Sequence, residues 1–343
     1  MTETREALNQ AAVEEALHNL VEQYGGSADA ELIHEIMMTA LKMARDGTSR
    51  GDLKILNSAL KELRYAFRVF SPYRRNRKVS VFGSSRTPAH STEYHQARRF
   101  TSRMAQEGFM VITGAGPGIM EAANEGAGKD KSFGVNILLP FEQKANRFLD
   151  GDPKLVHLKY FFTRKLLFVK ETDAVALFPG GFGTQDEGFE ILTLTQTGKS
   201  EPLPIVFIET PGGTYWRDWY EYVQTHLVEA GKVSREDLGL LRIVDDVEEA
   251  VEEICRFYFR YHSLRFVRDR LIIRLGRPLP EGRLAELNKE FSDILVRDRI
   301  EISPPLPEES NESQISHLDR LALYFDRANY GRLRLLINRI NDP

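Results

Sequence analysis

Cysteine is almost missing from this 343-residue chain: Cys255 stands alone, which excludes a disulfide framework or a thiolate metal cluster within one chain. A reducing cytoplasm is the expected setting. The eight histidines, His18, His34, His90, His95, His157, His226, His262 and His317, include no His-x-x-x-His pair, so no helical metal site is marked and no bound metal is expected. No apolar run approaches membrane-spanning length, and the start, Met1-Thr2-Glu3-Thr4-Arg5-Glu6, lacks the basic and apolar stretches of a signal peptide. Neither a membrane nor export is therefore expected. Excess positive charge is lacking as well. The 46 Lys and Arg against 50 Asp and Glu leave a net charge of −4, which argues against a general nucleic-acid binder.

What is present divides into three parts. Apolar residues at helical spacing (Val13, Leu17, Leu20, Val21; then Leu32, Ile33, Ile36, Met37, Leu41; then Leu56, Leu60, Leu63, Phe67) predict about three helices in residues 1–72, broken at Gly25-Gly26 and between Gly47 and Gly51. The basic run Arg74-Arg75-Asn76-Arg77-Lys78 reads as a solvated connector. Over residues 73–262, short apolar runs alternate with amphipathic stretches. Strands are expected at Val79–Phe82, Phe109–Thr113, Phe133–Leu138, Leu155–Leu158, Asp173–Phe178 and Ile205–Ile208. Helices are expected at Tyr94–Gln106, Gly118–Ala127, Phe161–Glu171, Thr184–Thr197 and Trp216–Ala230. This alternation predicts an α/β fold, a parallel sheet with helices on both faces and ligands gathered at the carboxyl ends of its strands. Residues 263–343 read as a small α+β module: strand character over Leu264–Leu275, a helix over Arg283–Leu295, a strand at Leu321–Phe325, a helix at Leu333–Ile340, and an exposed loop over Pro304–Gln314.

The chemistry concentrates in Pro179-Gly180-Gly181-Phe182-Gly183-Thr184-Gln185-Asp186-Glu187. A strand that ends in glycines and turns straight into a helix aims several backbone N–H groups at one spot, which suits an anion, a phosphate above all. Thr184 can add a hydrogen bond, and Glu187 lies about one turn further on, an acid that phosphate binding alone does not need. Thr184-x-x-Glu187 is also a capping box, which would give both side chains a purely structural task. Three glycines, a proline and a second acid, Glu190, weigh toward a ligand, because glycines cost backbone entropy and serve close approach.

Two more glycine-rich strand ends point to the same crevice: Gly83-Ser84-Ser85, equally readable as a tight turn with a helix cap, and Gly114-Ala115-Gly116-Pro117-Gly118-Ile119-Met120-Glu121. The second is not a dinucleotide fingerprint. That pattern needs a glycine where Ile119 stands and an acid closing the next strand, so no nicotinamide cofactor is expected. Arg164 and Lys165 lie on an apolar stripe with Tyr160, Phe161, Phe162, Leu167, Phe168 and Val169. Such a guanidinium either packs its stem and sends its head to water, or takes a phosphate or Glu187 as partner.

Taken together, the Pro179–Glu187 run and the upstream Arg164-Lys165 pair resemble the LONELY GUY phosphoribohydrolases, a family often mislabelled as lysine decarboxylases. The run fits the family signature PGGxGTxxE, and Gly83-Ser84-Ser85, Gly114 to Glu121 and Gly134-Val135-Asn136 support it, over about 79–249. The resemblance implies a Rossmann-like fold and hydrolysis of the N-glycosidic bond of a nucleoside 5′-monophosphate to free base and ribose 5-phosphate, without a cofactor. It implies that Glu187 is the essential acid and Arg164 the essential arginine. It also implies that Lys165, Gly180, Gly181, Phe182, Gly183, Thr184, Gln185, Asp186 and Thr193 contact substrate, and substrate binding is likewise expected of Gly83, Ser84, Gly114, Gly116 and Gly118 in the supporting loops. It further implies a homo-oligomer, dimer or larger. The extra N- and C-terminal regions resemble those of longer bacterial relatives that act broadly on nucleotides, so AMP is the favoured first substrate. A nucleotide sensor or a molybdenum-cofactor carrier of the same architecture is the alternative, and it would keep the glycine cradle without needing the acid.

Overall fold

The computed structural model describes residues 2–25, 29–138, 144–310 and 312–343. Met1–Lys61 forms one compact unit and Glu62–Pro343 another. In the first, α1 (Thr2–Gln23) and α2 (Ala30–Arg45) precede α3 (Arg50–Phe70), which runs on into the second unit. Gly25 and Gly47 carry the positive φ values that end α1 and α2, while Gly26 lies outside the described residues. Ser49 caps α3 by accepting the Asp52 N–H at 3.2 Å.

The second unit alternates strand and helix: β1 (Lys78–Phe82), α4 (Thr92–Gln106), β2 (Met110–Thr113), α5 (Ile119–Ala127), β3 (Ser132–Ile137), β4 (Leu155–Leu158), α6 (Phe161–Glu171), β5 (Ala174–Leu177), α7 (Phe182–Gln196), β6 (Ile205–Ile208), α8 (Tyr215–Val223), β7 (Leu241–Val244) and α9 (Val247–Phe257). The strands pair in parallel in the order β4-β3-β2-β1-β5-β6-β7. Both faces are covered, as period-two alternation shows. Val79, Val81, Ala174, Ala176, Val206 and Ile208 pack with Phe100, Ile119 and Ile254 on one face. Phe82, Val175, Leu177 and Phe207 pack with Phe70, Leu167, Ile191 and Trp216 on the other. Each large side chain buried there contributes roughly 1.5–3 kcal/mol.

The helix expected through Ala230 is α8 followed by a π-helical turn, Gln224–Val228. Neither β7 nor α9 was anticipated. β7 is a half-exposed edge strand carrying Arg242, and its apolar run is too broken to read. A signal for α9 existed in Asp246, whose carboxylate caps the helix by accepting the Glu248 and Glu249 N–H groups.

The C-terminal part is an antiparallel sheet, β10-β11-β9-β8, built from β8 (Tyr261–Val267), β9 (Arg270–Leu275), β10 (Leu295–Ser303) and β11 (Asp319–Phe325), with α10 (Arg283–Glu290) and α11 (Tyr330–Asn341). Two expectations are corrected here. The helix from Arg283 ends at Glu290, and Leu295 opens β10, whose Arg297, Asp298, Arg299 and Glu301 mask its strand character; its pairing with β11 is irregular and Asp298 takes φ 56°. The expected exposed loop Pro304–Gln314 holds a buried residue, Glu309. Its carboxylate accepts from Arg274 Nε at 2.9 Å and Arg320 Nε at 3.1 Å, so the loop is pinned to β9 and β11 by a buried charge cluster. Asn311 of that loop lies outside the described residues.

Candidate functional site

Strand order decides where a ligand can sit. β1 lies in the middle of the parallel sheet; the chain lays β2, β3 and β4 on one side of it, then returns to place β5, β6 and β7 on the other. Such a reversal opens a crevice at the carboxyl ends of the strands, where the three glycine-rich loops after β1, β2 and β5 meet. Two backbone hydrogen bonds join them: the Ser84 N–H donates to the Pro179 carbonyl at 3.1 Å, and the Ile119 N–H donates to the Ser84 carbonyl at 3.0 Å.

Glycine is required at two of these crossings, Gly83 and Gly118. A Cβ on Gly83 would stand 2.7 Å from the Ile119 side chain, and one on Gly118, at φ +66°, would run into the Ser84 carbonyl oxygen. A Cβ on Gly114 would lie 2.6 Å from Nη2 of Arg164, and one on Gly116 would lie 2.7 Å from the Met120 methyl. Gly114, Gly116 and Gly118 therefore let the second loop lie close against Ser84, Met120 and Arg164. Asn146 and Thr113 brace that loop: the Asn146 N–H donates to the Ala115 carbonyl at 2.8 Å, and the Ala115 N–H donates to Thr113 Oγ1 at 3.0 Å. Ala115 is thereby held at φ 59°, unusual for a residue with a side chain.

The crevice is a cavity of about 820 Å³ lined by Gly83, Ser84, Arg164 and every residue from Gly180 to Glu187. Arg86, Met120, Phe161 and Tyr215 line it too, although sequence reasoning did not single them out as site residues. α7 opens at Phe182 with Gly181 as its N-cap and no capping side chain. Thr184 is thus inside the first turn and Glu187 in the second, so they do not form a capping box. The Thr184 and Gln185 N–H groups donate to the Gly181 carbonyl at 3.1 and 3.2 Å, which leaves those of Phe182 and Gly183 without an acceptor among the described residues at the crevice, and the helix dipole favours negative charge there.

Arg164 is held from β3 and α6. Its Nε donates to the Val135 carbonyl at 3.2 Å, and its guanidinium carbon lies 5.2 Å from the centre of the Phe168 ring. Burial pulls its pKa below the usual guanidinium value, against the opposing charges of Glu187 and Asp186. Among the described residues it forms no ion pair, which leaves its terminal nitrogens available to an anion.

Glu187 is 8% exposed. Burial raises its pKa; Lys165 and then Arg164 pull it down, and Glu190 and Asp186 push it up again. Lys165 reaches Glu190 at 2.7 Å, Asp186 at 2.9 Å and Glu187 at 3.7 Å. Burial alone would lower the Lys165 pKa, but the hydrogen bonds it donates to Glu190 and Asp186 and the charge of Glu187 outweigh it and raise it. Lys165 lines a neighbouring groove, also of about 820 Å³, rather than the crevice. Thr193 is not brought to the crevice either; it is exposed further along α7, its carbonyl accepting from the Thr197 N–H. Volume does not choose between the two cavities, whereas the glycine loops, the free guanidinium and the buried acid select the crevice.

Among the described residues, no group of three or more His, Cys, Asp or Glu side chains is placed to hold a metal ion, and no helix is long and apolar enough to cross a membrane. Among curated proteins none matches the chain. Solved structures similar to it include a structural-genomics target designated TM1055, 22% identical, covering 52% of this chain and 99% of that one with a TM-score of 0.38. The molybdenum cofactor carrier protein of Chlamydomonas reinhardtii is 17% identical, covering 53% of this chain and 97% of that one with a TM-score of 0.38. The molybdenum cofactor binding protein of the phototrophic bacterium Rippkaea orientalis is 19% identical, covering 52% and 93%, with a TM-score of 0.35. Residues 120–254, which include Arg164 and the whole Pro179–Glu187 loop, match the family model described as possible lysine decarboxylase.

Proposed function

We propose that this protein hydrolyses the N-glycosidic bond of nucleoside 5′-monophosphates, AMP first among them, releasing free base and ribose 5-phosphate. One juxtaposition carries the reading: an unpaired guanidinium, Arg164, and a buried carboxylate, Glu187, stand at the same crevice as the glycine cradle Gly180–Thr184. The cradle and Arg164 suit the 5′-phosphate, since backbone N–H groups and a planar guanidinium both donate to its oxygens. Holding the phosphate fixes the ribose relative to Glu187.

As the C1′–N bond breaks, its electron pair leaves with the base and positive charge builds on the sugar. A carboxylate beside that charge stabilises the transition state more than the ground state. Glu187 then takes a proton from the water whose oxygen bonds to C1′, and that proton passes on to the departing base, so one water supplies both the hydroxyl on C1′ and the hydrogen on the base. The raised pKa of Glu187 suits a group that must accept a proton near neutrality, and such base catalysis is worth roughly 10²–10⁴-fold. Lys165 keeps its charge while holding Asp186 and Glu190 beside the acid, a positioning task performed from the neighbouring groove. The decarboxylase description fits these residues less well, because that chemistry usually requires pyridoxal phosphate on a lysine, and Lys165 is engaged by three carboxylates.

A homo-oligomer belongs to the same proposal. Phe162 and Leu166, four apart on α6, are 54% and 47% exposed and line one groove, an apolar face suited to a second copy. The test of function is incubation of the purified protein with a panel of nucleoside monophosphates and chromatographic detection of free base. Release of base at catalytic turnover supports the enzyme. Stoichiometric binding with every nucleotide recovered intact would move the reading to a sensor or carrier.

A further inference from the structure

Tyr215 opens α8, on the crossover after β6, yet its hydroxyl sits on the glycine cradle. It donates to the Gly180 carbonyl at 2.5 Å and accepts from Gln185 Nε2 at 2.7 Å. The second bond orders the first: because the Gln185 amide occupies a lone pair of the hydroxyl, its proton is left for Gly180. The ring is fixed in turn. It packs edge-on against Trp216 with centroids 4.7 Å apart, and Trp216 is fully buried. The Trp216 N–H donates to Glu209 Oε2 at 2.5 Å, while Glu209 Oε1 accepts the Thr210 N–H at 3.0 Å. Glu209, buried at the end of β6, thus anchors the start of α8. Gly213 lets the turn close, since a Cβ there would stand 2.7 Å from Glu209 Oε1.

The peptide joining Gly180 to Gly181 leads into the N-cap of α7. In a trans peptide the carbonyl and the following N–H point in opposite directions, so a hydroxyl that holds the Gly180 carbonyl also sets the direction of the Gly181 N–H. Among the described residues that N–H has no acceptor. Two glycines in succession allow this peptide to rotate unless something stops it. We propose that Tyr215 is a positioning residue of the cradle: its hydroxyl locks the Gly180–Gly181 peptide so that the Gly181 N–H is presented to the phosphate of the substrate. The inference rests on the reading of the crevice as a phosphate site, and it adds a residue contributed by a different crossover from the glycine loop itself.

The test is Tyr215→Phe, which removes one oxygen and keeps the ring against Trp216. Three quantities are read in the full-length protein: the Kd for ribose 5-phosphate by calorimetry, the ratio of kcat/KM for AMP to that for adenosine, and the melting temperature. The expected result is a roughly tenfold weaker Kd and a roughly tenfold smaller AMP-to-adenosine ratio, carried by KM more than kcat, with melting little changed. A general loss of structure would not shrink the preference for the phosphorylated substrate selectively. If Tyr215→Phe does not fold, Gln185→Leu frees the hydroxyl to turn away from Gly180 and should weaken ribose 5-phosphate binding in the same direction. Unchanged Kd in the folded variant overturns the proposal. The calorimetric arm separates it from the enzyme reading: a protein that hydrolyses nothing but loses ribose 5-phosphate affinity on Tyr215→Phe keeps the clamp and rejects the hydrolase.

Discussion

Replacing Glu187 with glutamine keeps the shape of the side chain and removes its charge. The surroundings tolerate the change. Lys165 retains Glu190 at 2.7 Å and Asp186 at 2.9 Å, so no ammonium is stranded, and α7 loses no cap because Gly181 supplies its N-cap backbone. The local cluster counts two cations, Arg164 and Lys165, against three carboxylates, Asp186, Glu187 and Glu190, and the substitution removes the excess negative charge. Turnover should fall by roughly 10²–10⁴-fold, a barrier increase of about 3–5 kcal/mol. Stability should move the other way. Because burial raises the Glu187 pKa in the folded chain, the folded state holds that proton more tightly than the unfolded one. Its stability therefore declines as pH rises from the ordinary carboxylate range through the folded pKa. Glu187→Gln escapes that decline and should melt higher at neutral pH, by roughly 1–4 °C, with the difference vanishing below the ordinary carboxylate range. The assays are base release from AMP and thermal melting at neutral and acid pH. A variant that hydrolyses AMP at the wild-type rate refutes the assigned role of the acid, and one that melts lower at neutral pH refutes the electrostatic account.

Other perturbations probe separate parts of the site. Arg164→Ala should lower kcat/KM for AMP by roughly 10–100-fold, chiefly through KM, because charge-assisted bonds to phosphate are lost; steady-state kinetics and ribose 5-phosphate binding measure it. Treatment with a chelator should leave turnover unchanged, since the proposed steps use a carboxylate, a guanidinium and backbone N–H groups; activity that vanished and returned with an added metal would contradict this. Phe162→Asp combined with Leu166→Asp should lower the mass in solution measured by light scattering, because both side chains leave the apolar face of α6.

The sheet was legible because its strands are short, buried apolar runs: Leu155–Leu158 and Ile205–Ile208 form where the pattern places them. Elements with charges set into their apolar pattern were not. Arg242 interrupts β7, and Arg297, Asp298 and Glu301 interrupt β10. In the site, the glycine loops were legible because only glycine tolerates the close approach at Gly83 and Gly118. The setting of Lys165 was not drawn from the sequence, although Asp186 and Glu190, four apart, share one face of a helix. Tyr215 was missed because its hydroxyl donates to a backbone carbonyl, which no side-chain pattern reveals; the preceding Gly212-Gly213 in the turn between β6 and α8 was the available sign. The start of α7 at Phe182 rather than Thr184 removes the capping-box reading, and that register depends on the glycine conformations.

Mixing AMP with an excess of the purified protein, quenching over time, and quantifying adenine, ribose 5-phosphate and remaining AMP together tests the central claim most directly. The account predicts that adenine and ribose 5-phosphate appear in equal amounts as AMP disappears, and that Glu187→Gln leaves AMP bound but intact over the same interval. AMP recovered whole from the wild-type protein under conditions where it is fully bound would contradict it.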